Sequence, residues 1–457
     1  MAASASETAS KGARIMSGAR RFAQKATSVL CSLVMLTSLF PTTALAAGSE
    51  GGSSSDASSS TTAEVQTSDE GATADESAST TTTSSEDTEE GANESTSAAL
   101  TTESDGTVLS AQSDDTALSV QFDDTPAYSG GEGTEASPYL LSSADDLVAL
   151  ANAVNNDSID YAGQYFKMTA DIDLSTVCYR VGGTYTTDKS WTPIGVSKVF
   201  QGTFDGDGHY IENLYIDTDS QSAQGLFGNL GSQSTIKNFV LASGMVYAPN
   251  AHAGGIAGKT YGDSATQGAK IMNVGNEADV TGSEYVGGLV SYISQYTTVS
   301  GCYNAGHVYI AGPATGYPSV GGLAGFCGSA LVDCYNTGAV TAKVTVSRVG
   351  GLVGNLIGSS SYLESCYNAG LIEGADSQYI GAIVGTLWPN QPINCYYLDT
   401  SCDSGAGYSV TTATSLTEAE IKASSFPALL DSDAFETIDD SYSALIWQGK
   451  SGRADIT

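Results

Sequence analysis

The sequence predicts an all-β chain: a right-handed parallel β-helix, or β-solenoid, with small helical caps, preceded by a disordered acidic linker. Three observations predict it. A glycine phrase recurs with first glycines at 254, 287, 321, 350 and 381, in steps of 33, 34, 29 and 31 residues. A second phrase, Cys-Tyr-Asn, follows it at 302, 334 and 366. Between them lie short runs of Val, Ile, Leu, Tyr and Thr broken by Gly, Asn and Ser, which is the composition of strands and turns. Self-similarity at a fixed period marks a repeat architecture. No unit holds the ten or more periodic residues that a repeat helix needs. A propeller blade needs about 40–50 residues, so the unit is too short for one. Three strands and three turns fit each unit. Coils about 4.8 Å apart then give a rod of seven or eight rungs.

Taken in order, residues 1–47 read as a secretory signal. Lys11, Arg14, Arg20, Arg21 and Lys25 supply its basic region. Val29 to Phe40 is its apolar region, too short to span a bilayer, and Ala44-Leu45-Ala46 is a small-residue cleavage pattern. The expected destination is extracellular, secreted or held at the cell surface, with no membrane span in the mature chain. Residues 48–125 contain no Lys or Arg and one aromatic, Phe122. Such a segment buries too little apolar area to offset chain entropy, so a disordered linker is expected.

Residues 126–200 form the expected N-terminal cap and first rungs. Tyr139-Leu140-Leu141, Tyr165 to Met168 and Ile172-Asp173-Leu174 read as strands. Ser143 reads as the cap of a helix with Leu147, Leu150, Ala151 and Val154 on one face. A helix across the first rung would cover its exposed backbone and core. Residues 201–398 are the repeats, with copies at Gly254-Gly255-Ile256-Ala257-Gly258, Gly287 to Ser291, Gly321 to Gly325 and Gly350 to Gly354. Gly381-Ala382-Ile383-Val384-Gly385 is a worn copy. Leu or Ile at the third position is expected to stack on its copies. Asn304, Asn336 and Asn368 are expected to form an amide ladder along the rod, with Asn276 in the same slot. Residues 399–457 end the repeats. A helix start near Thr417 and apolar runs at 426–430 and 444–447 are expected to seal the last rung.

These residues carry a resemblance. The Gly-Gly-Leu-Val-Gly phrase resembles the GLUG motif of secreted and surface bacterial proteins. The stretch Trp191 to Gly195, then Phe200 to His209, is similar to the segment that precedes GLUG repeats. The resemblance covers roughly residues 129–398. It implies an adhesin-like surface role without catalytic residues. Similar repeats occur in large secreted immunoglobulin A peptidases, outside their catalytic domains.

Charge narrows the function. With 17 Lys+Arg against 51 Asp+Glu, the chain opposes binding to nucleic acid or anionic membranes. No catalytic, cofactor or metal site is expected. His209, His252 and His307 sit in no zinc or hydrolase motif. Asp205 and Asp207 read as a tight turn rather than a calcium loop. Cys302, Cys334 and Cys366 read as a buried thiol stack, while Cys395 and Cys402 are the best disulfide candidate. The candidate ligand-binding residues are Tyr303, Tyr335, Tyr367 and Tyr396. If each Cys points inward, alternation sends the Tyr outward as an aromatic stripe about 15 Å long. Val299, Leu331 and Leu363, three positions before each Cys, leave that parity open, because a bulge or corner must intervene. The expected partner is a surface glycan or protein. A passive spacer, a recruiting arm of a larger secreted enzyme system and a β-helix carbohydrate-active enzyme are the alternatives.

Overall fold

The computed structural model describes residues 128–156, 159–181, 188–311, 316–343, 347–374 and 379–450. The signal and linker expected from sequence lie outside them. The repeats wind into a parallel β-solenoid whose coils run through four sheets. Sheet 1 holds five strands, from Ala253–Gly254 to Tyr379–Gly381. Sheet 2 holds six, from Phe227–Leu230 to Val384–Trp388. Sheet 3, the longest, carries the Cys-Tyr-Asn phrases, and sheet 4 holds six strands from Leu214–Asp217 to Ile372–Gly374. The six strands in sheets 2 and 4 correct the expected count of seven or eight rungs, and four sheets replace the expected three strands per coil.

Matching residues do touch. The Leu289 N–H donates to Leu323 O at 3.1 Å, and the Leu323 N–H to Leu352 O at 2.9 Å. Ile256 and Ile383 continue the column, and all five side chains are buried. Each contributes on the order of 1.5–3 kcal/mol by burial.

Sheet 3 settles the open parity. Asn238, Asn273, Gly301, Asp333, Ser365 and Asn394 share one slot and are all left-handed, with φ between +49° and +62°. This kink lets Val299 and Cys302 both point inward although three positions apart. Asn, Asp and Gly tolerate that conformation best. The inward column behind the kink narrows from Phe239 to Val274 and then to Cys302, Cys334, Cys366 and Cys395.

The ends are closed differently. Helix α1 (Ala144–Asn155) has a capping box: the Asp146 N–H donates to Ser143 Oγ at 3.3 Å and the Ser143 N–H to Asp146 Oδ2 at 3.0 Å. Its Leu147, Leu150, Ala151 and Val154 face packs into the core with Phe166 and Ile194. At the other end, strand Thr414–Leu416 extends sheet 3. Helices α2 (Glu418–Ile421), α3 (Phe426–Leu429) and α4 (Ile446–Lys450) follow. Rather than only sealing the last rung, this segment lies along sheet 3. Trp447 Nε1 donates to Gly301 O at 2.9 Å, three rungs back.

Candidate functional site

The tyrosine slot of sheet 3 is not an open stripe. Tyr303, Tyr335 and Tyr367 are at most 2 % exposed, and Tyr396 is half-buried. Their rings stack, with centroids 5.2 and 5.0 Å apart and planes within 7°. The cause is the C-terminal segment. Ile421, Phe426, Leu430, Phe435 and Leu445 form one buried cluster with these rings. Tyr335 Oη donates to Gln448 Oε1 at 3.0 Å, Tyr396 Oη to Leu429 O at 3.0 Å, and Tyr367 Oη to Ser443 O. Burial pushes the three inner phenols well above their ordinary range. The expected ligand stripe is thus a docking face for the chain's own C-terminal segment.

The disulfide expectation also fails, since Cys395 and Cys402 are both free. Cys395 belongs to the inward column, hydrogen-bonded to Cys366, and Cys402 lies outside it at a half-buried position. Burial first, then neighbouring thiols, pushes Cys334, Cys366 and Cys395 far up. The thiol stack read from sequence is therefore real. So is the tight turn: the Asp207 N–H donates to Asp205 Oδ1 at 3.0 Å.

A different set of aromatics lies exposed, in the corner where sheets 1 and 2 meet. Glycine makes the corner. A Cβ on Gly287 of sheet 1 would lie 2.2 Å from Val290 O and 2.7 Å from Ala324 Cα of sheet 2. One on Gly325 of sheet 2 would lie 2.5 Å from Val286 N of sheet 1. Only glycine lets the two backbones approach so closely.

Side chains from both sheets line this groove. The position two residues before the Gly-Gly phrase carries Tyr285, Ser319, Arg348 and Tyr379, paired in register. On sheet 2 the matching column is Lys259, Tyr292, Phe326, Asn355 and Thr386. Tyr292 and Phe326 stack at 4.4 Å with planes 8° apart, and the Tyr285 ring lies 5.6 and 5.7 Å from them. Toward the C-terminal coils the groove widens into a cleft of about 280 Å³ lined by Tyr317, Arg348, Tyr379, Trp388 and Tyr408. Trp388 is 68 % exposed, Tyr408 70 % and Tyr317 60 %. Large exposed aromatics gathered in one place mark interaction sites.

Two cations rest on these rings. Lys259 Nζ lies 4.9 Å from the Tyr261 ring centroid and 5.1 Å from that of Tyr292. The Arg348 guanidinium lies 4.6 Å from the Tyr317 centroid. At the groove's N-terminal end His252 Nε2 meets Glu284 Oε2 at 3.4 Å, and burial, partly opposed by Glu284, holds the imidazole below its ordinary range. Among the described residues no three His, Cys, Asp or Glu side chains are grouped to hold a metal. The arrangement offers flat apolar faces and cationic donors, which suit stacking and charge recognition.

No family model matches the chain. It is 31% identical over 212 residues, 44% of its length, to the halomucin of Haloquadratum walsbyi, and covers 2% of that protein. It is 31% identical over 138 residues, 30% of its length, to a protein of Evansella cellulosilytica provisionally named a Gly-rich membrane protein, and covers 15% of it. The chain thus spans only a small part of either relative. A solved structure from Bacteroides ovatus, provisionally named an immunoglobulin A1 protease, superposes with a TM-score of 0.52 at 21% identity. The match covers 70% of this chain and 95% of that one. Fold and likeness together define the class as a parallel β-solenoid.

Proposed function

We propose that this chain is a secreted or surface-held, adhesin-like solenoid of the GLUG type. Its groove between sheets 1 and 2 binds a carbohydrate chain without cleaving it. The observation that carries the reading is the cluster of Tyr317, Tyr379, Trp388 and Tyr408 at one concave corner. Aromatic faces stack on the apolar faces of sugar rings, and a groove along a rod suits a polymer. Two further points support it: the leader-like N-terminus, and a relative named as a membrane protein.

Binding of the full chain to an array of bacterial and host polysaccharides tests this. The wild type is expected to retain at least one glycan, and the double variant Trp388→Ala/Tyr408→Ala to lose about tenfold or more in affinity. Retention of no glycan would favour the spacer. Release of reducing ends from a bound polysaccharide would make the chain an enzyme.

A further inference from the structure

We propose that the ligand of this groove is an acidic polysaccharide, its anionic groups held by Arg348 and Lys259. This rests on the groove being a carbohydrate site. The charge distribution carries it. The chain has a formal net charge of −34. Yet the strands of sheets 1 and 2 contain two cations, Lys259 and Arg348, and no Asp or Glu. The strands of sheet 4 show the reverse, with Asp217, Asp279 and Glu373 and no Lys or Arg. Among the described residues, the strands of the aromatic face thus carry cations and no acid, the opposite of sheet 4.

The cations are also poised. Arg348 lies flat against Tyr317, and its Nη1 donates to Tyr317 O at 3.3 Å. Its Nε is buried without a hydrogen-bond partner. Among the described residues the guanidinium forms no ion pair, so donor capacity for a carboxylate or sulfate is unused. A stacked guanidinium is pre-oriented for bidentate recognition. Lys259 holds a parallel position over Tyr292. Register places it three rungs from Arg348, a separation of about 14 Å along the rod. A single small anion cannot reach both, whereas a polymer with repeated charges can. A nearby carboxylate, Glu284, is already engaged with His252.

The test measures affinities of the full chain for matched probes. The anionic members are polygalacturonate, hyaluronate, chondroitin sulfate and dextran sulfate. The neutral members are fully methyl-esterified polygalacturonate and dextran, and poly-glutamate is the non-sugar polyanion. At least one anionic glycan is expected to bind about tenfold or more tighter than the neutral probes and poly-glutamate, and to weaken as salt rises. Arg348→Gln is expected to remove most of that preference and Lys259→Gln part of it, with circular dichroism unchanged. Preference for a neutral glycan would overturn this inference and leave the carbohydrate reading standing. Binding of poly-glutamate as tight as any glycan would overturn both, as would binding of no probe. Uronate-only or sulfate-only binding would identify the anion.

Discussion

Gly322 has no room for a methyl group, and the reason lies on another strand. A Cβ there would sit 2.3 Å from Asn336 Cγ and from Gly351 O. Gly255, Gly288 and Gly351 meet Asn276, Asn304 and Asn368 in the same way. Those asparagines form a buried ladder, each Nδ2 donating to the next Oδ1 at 2.8 Å. In the last coil Tyr397 takes the asparagine slot, and Ala382 takes the glycine slot. The two motifs therefore change together because they touch. Gly322→Ala is expected to lower stability by roughly 1–3 kcal/mol or more, while Ala382→Gly costs about 1 kcal/mol or less, both read by urea denaturation. Equal losses would contradict the contact. The asparagine column was legible in the sequence, since identical letters recur at one spacing. Its glycine partner was not, because a whole strand of sheet 2 lies between the two along the chain. Thiol accessibility belongs to this scale too. Of the seven described cysteines only Cys402 is not fully buried, and burial pushes Cys327 up to about 12. Alkylation of the native protein is expected to label Cys402 first and the Cys302 column only on unfolding. Early labelling of Cys334 would count against the inward stack.

At the scale of elements, helix α1 was legible from its Ser143 cap and its apolar face, and Asp145 and Asp146 occupy its first turn. Burial raises the Asp146 carboxyl, but hydrogen bonds from Ser142, Ser129 and Ser143 outweigh it and hold it below its ordinary range. A depressed carboxyl stabilises the fold above its ordinary titration range, and that contribution is lost as pH falls through the lowered value. The protection of α1 amides, taken relative to their intrinsic exchange rates at each pH, is expected to fall under acid, and Ser143→Ala to cost about 1 kcal/mol at neutral pH. Protection that falls with acid in the wild type and stays level in Asp146→Asn would fit this; an identical response in both would not. The C-terminal segment was half legible. Its apolar runs stood out, but Phe426 and Trp447 gave no sign that they cover Tyr367 and reach Gly301. That placement is a long-range packing choice with no local signature.

For the whole molecule, the period alone yielded the solenoid, since stacking identical letters is what a thirty-residue repeat does. The site was less legible. The tyrosines that recur beside cysteine lie on sheet 3, where they are covered. Tyr285, Arg348 and Tyr379 recur two residues before the Gly-Gly phrase, and that spacing was a usable signal. Trp388 and Tyr408 lie outside any repeated phrase, so only the fold brings them to the same cleft. Segregation of charge likewise appears only once strands are sorted into sheets. The most direct measurement uses the chain's three tryptophans, of which Trp191 is buried, Trp447 half-buried and Trp388 exposed. Acrylamide quenching should show one accessible tryptophan in the free chain, lost in Trp388→Phe. A bound polysaccharide is predicted to shield that residue. If the chain holds a polysaccharide while Trp388 is quenched as readily as before, the groove is not the binding surface.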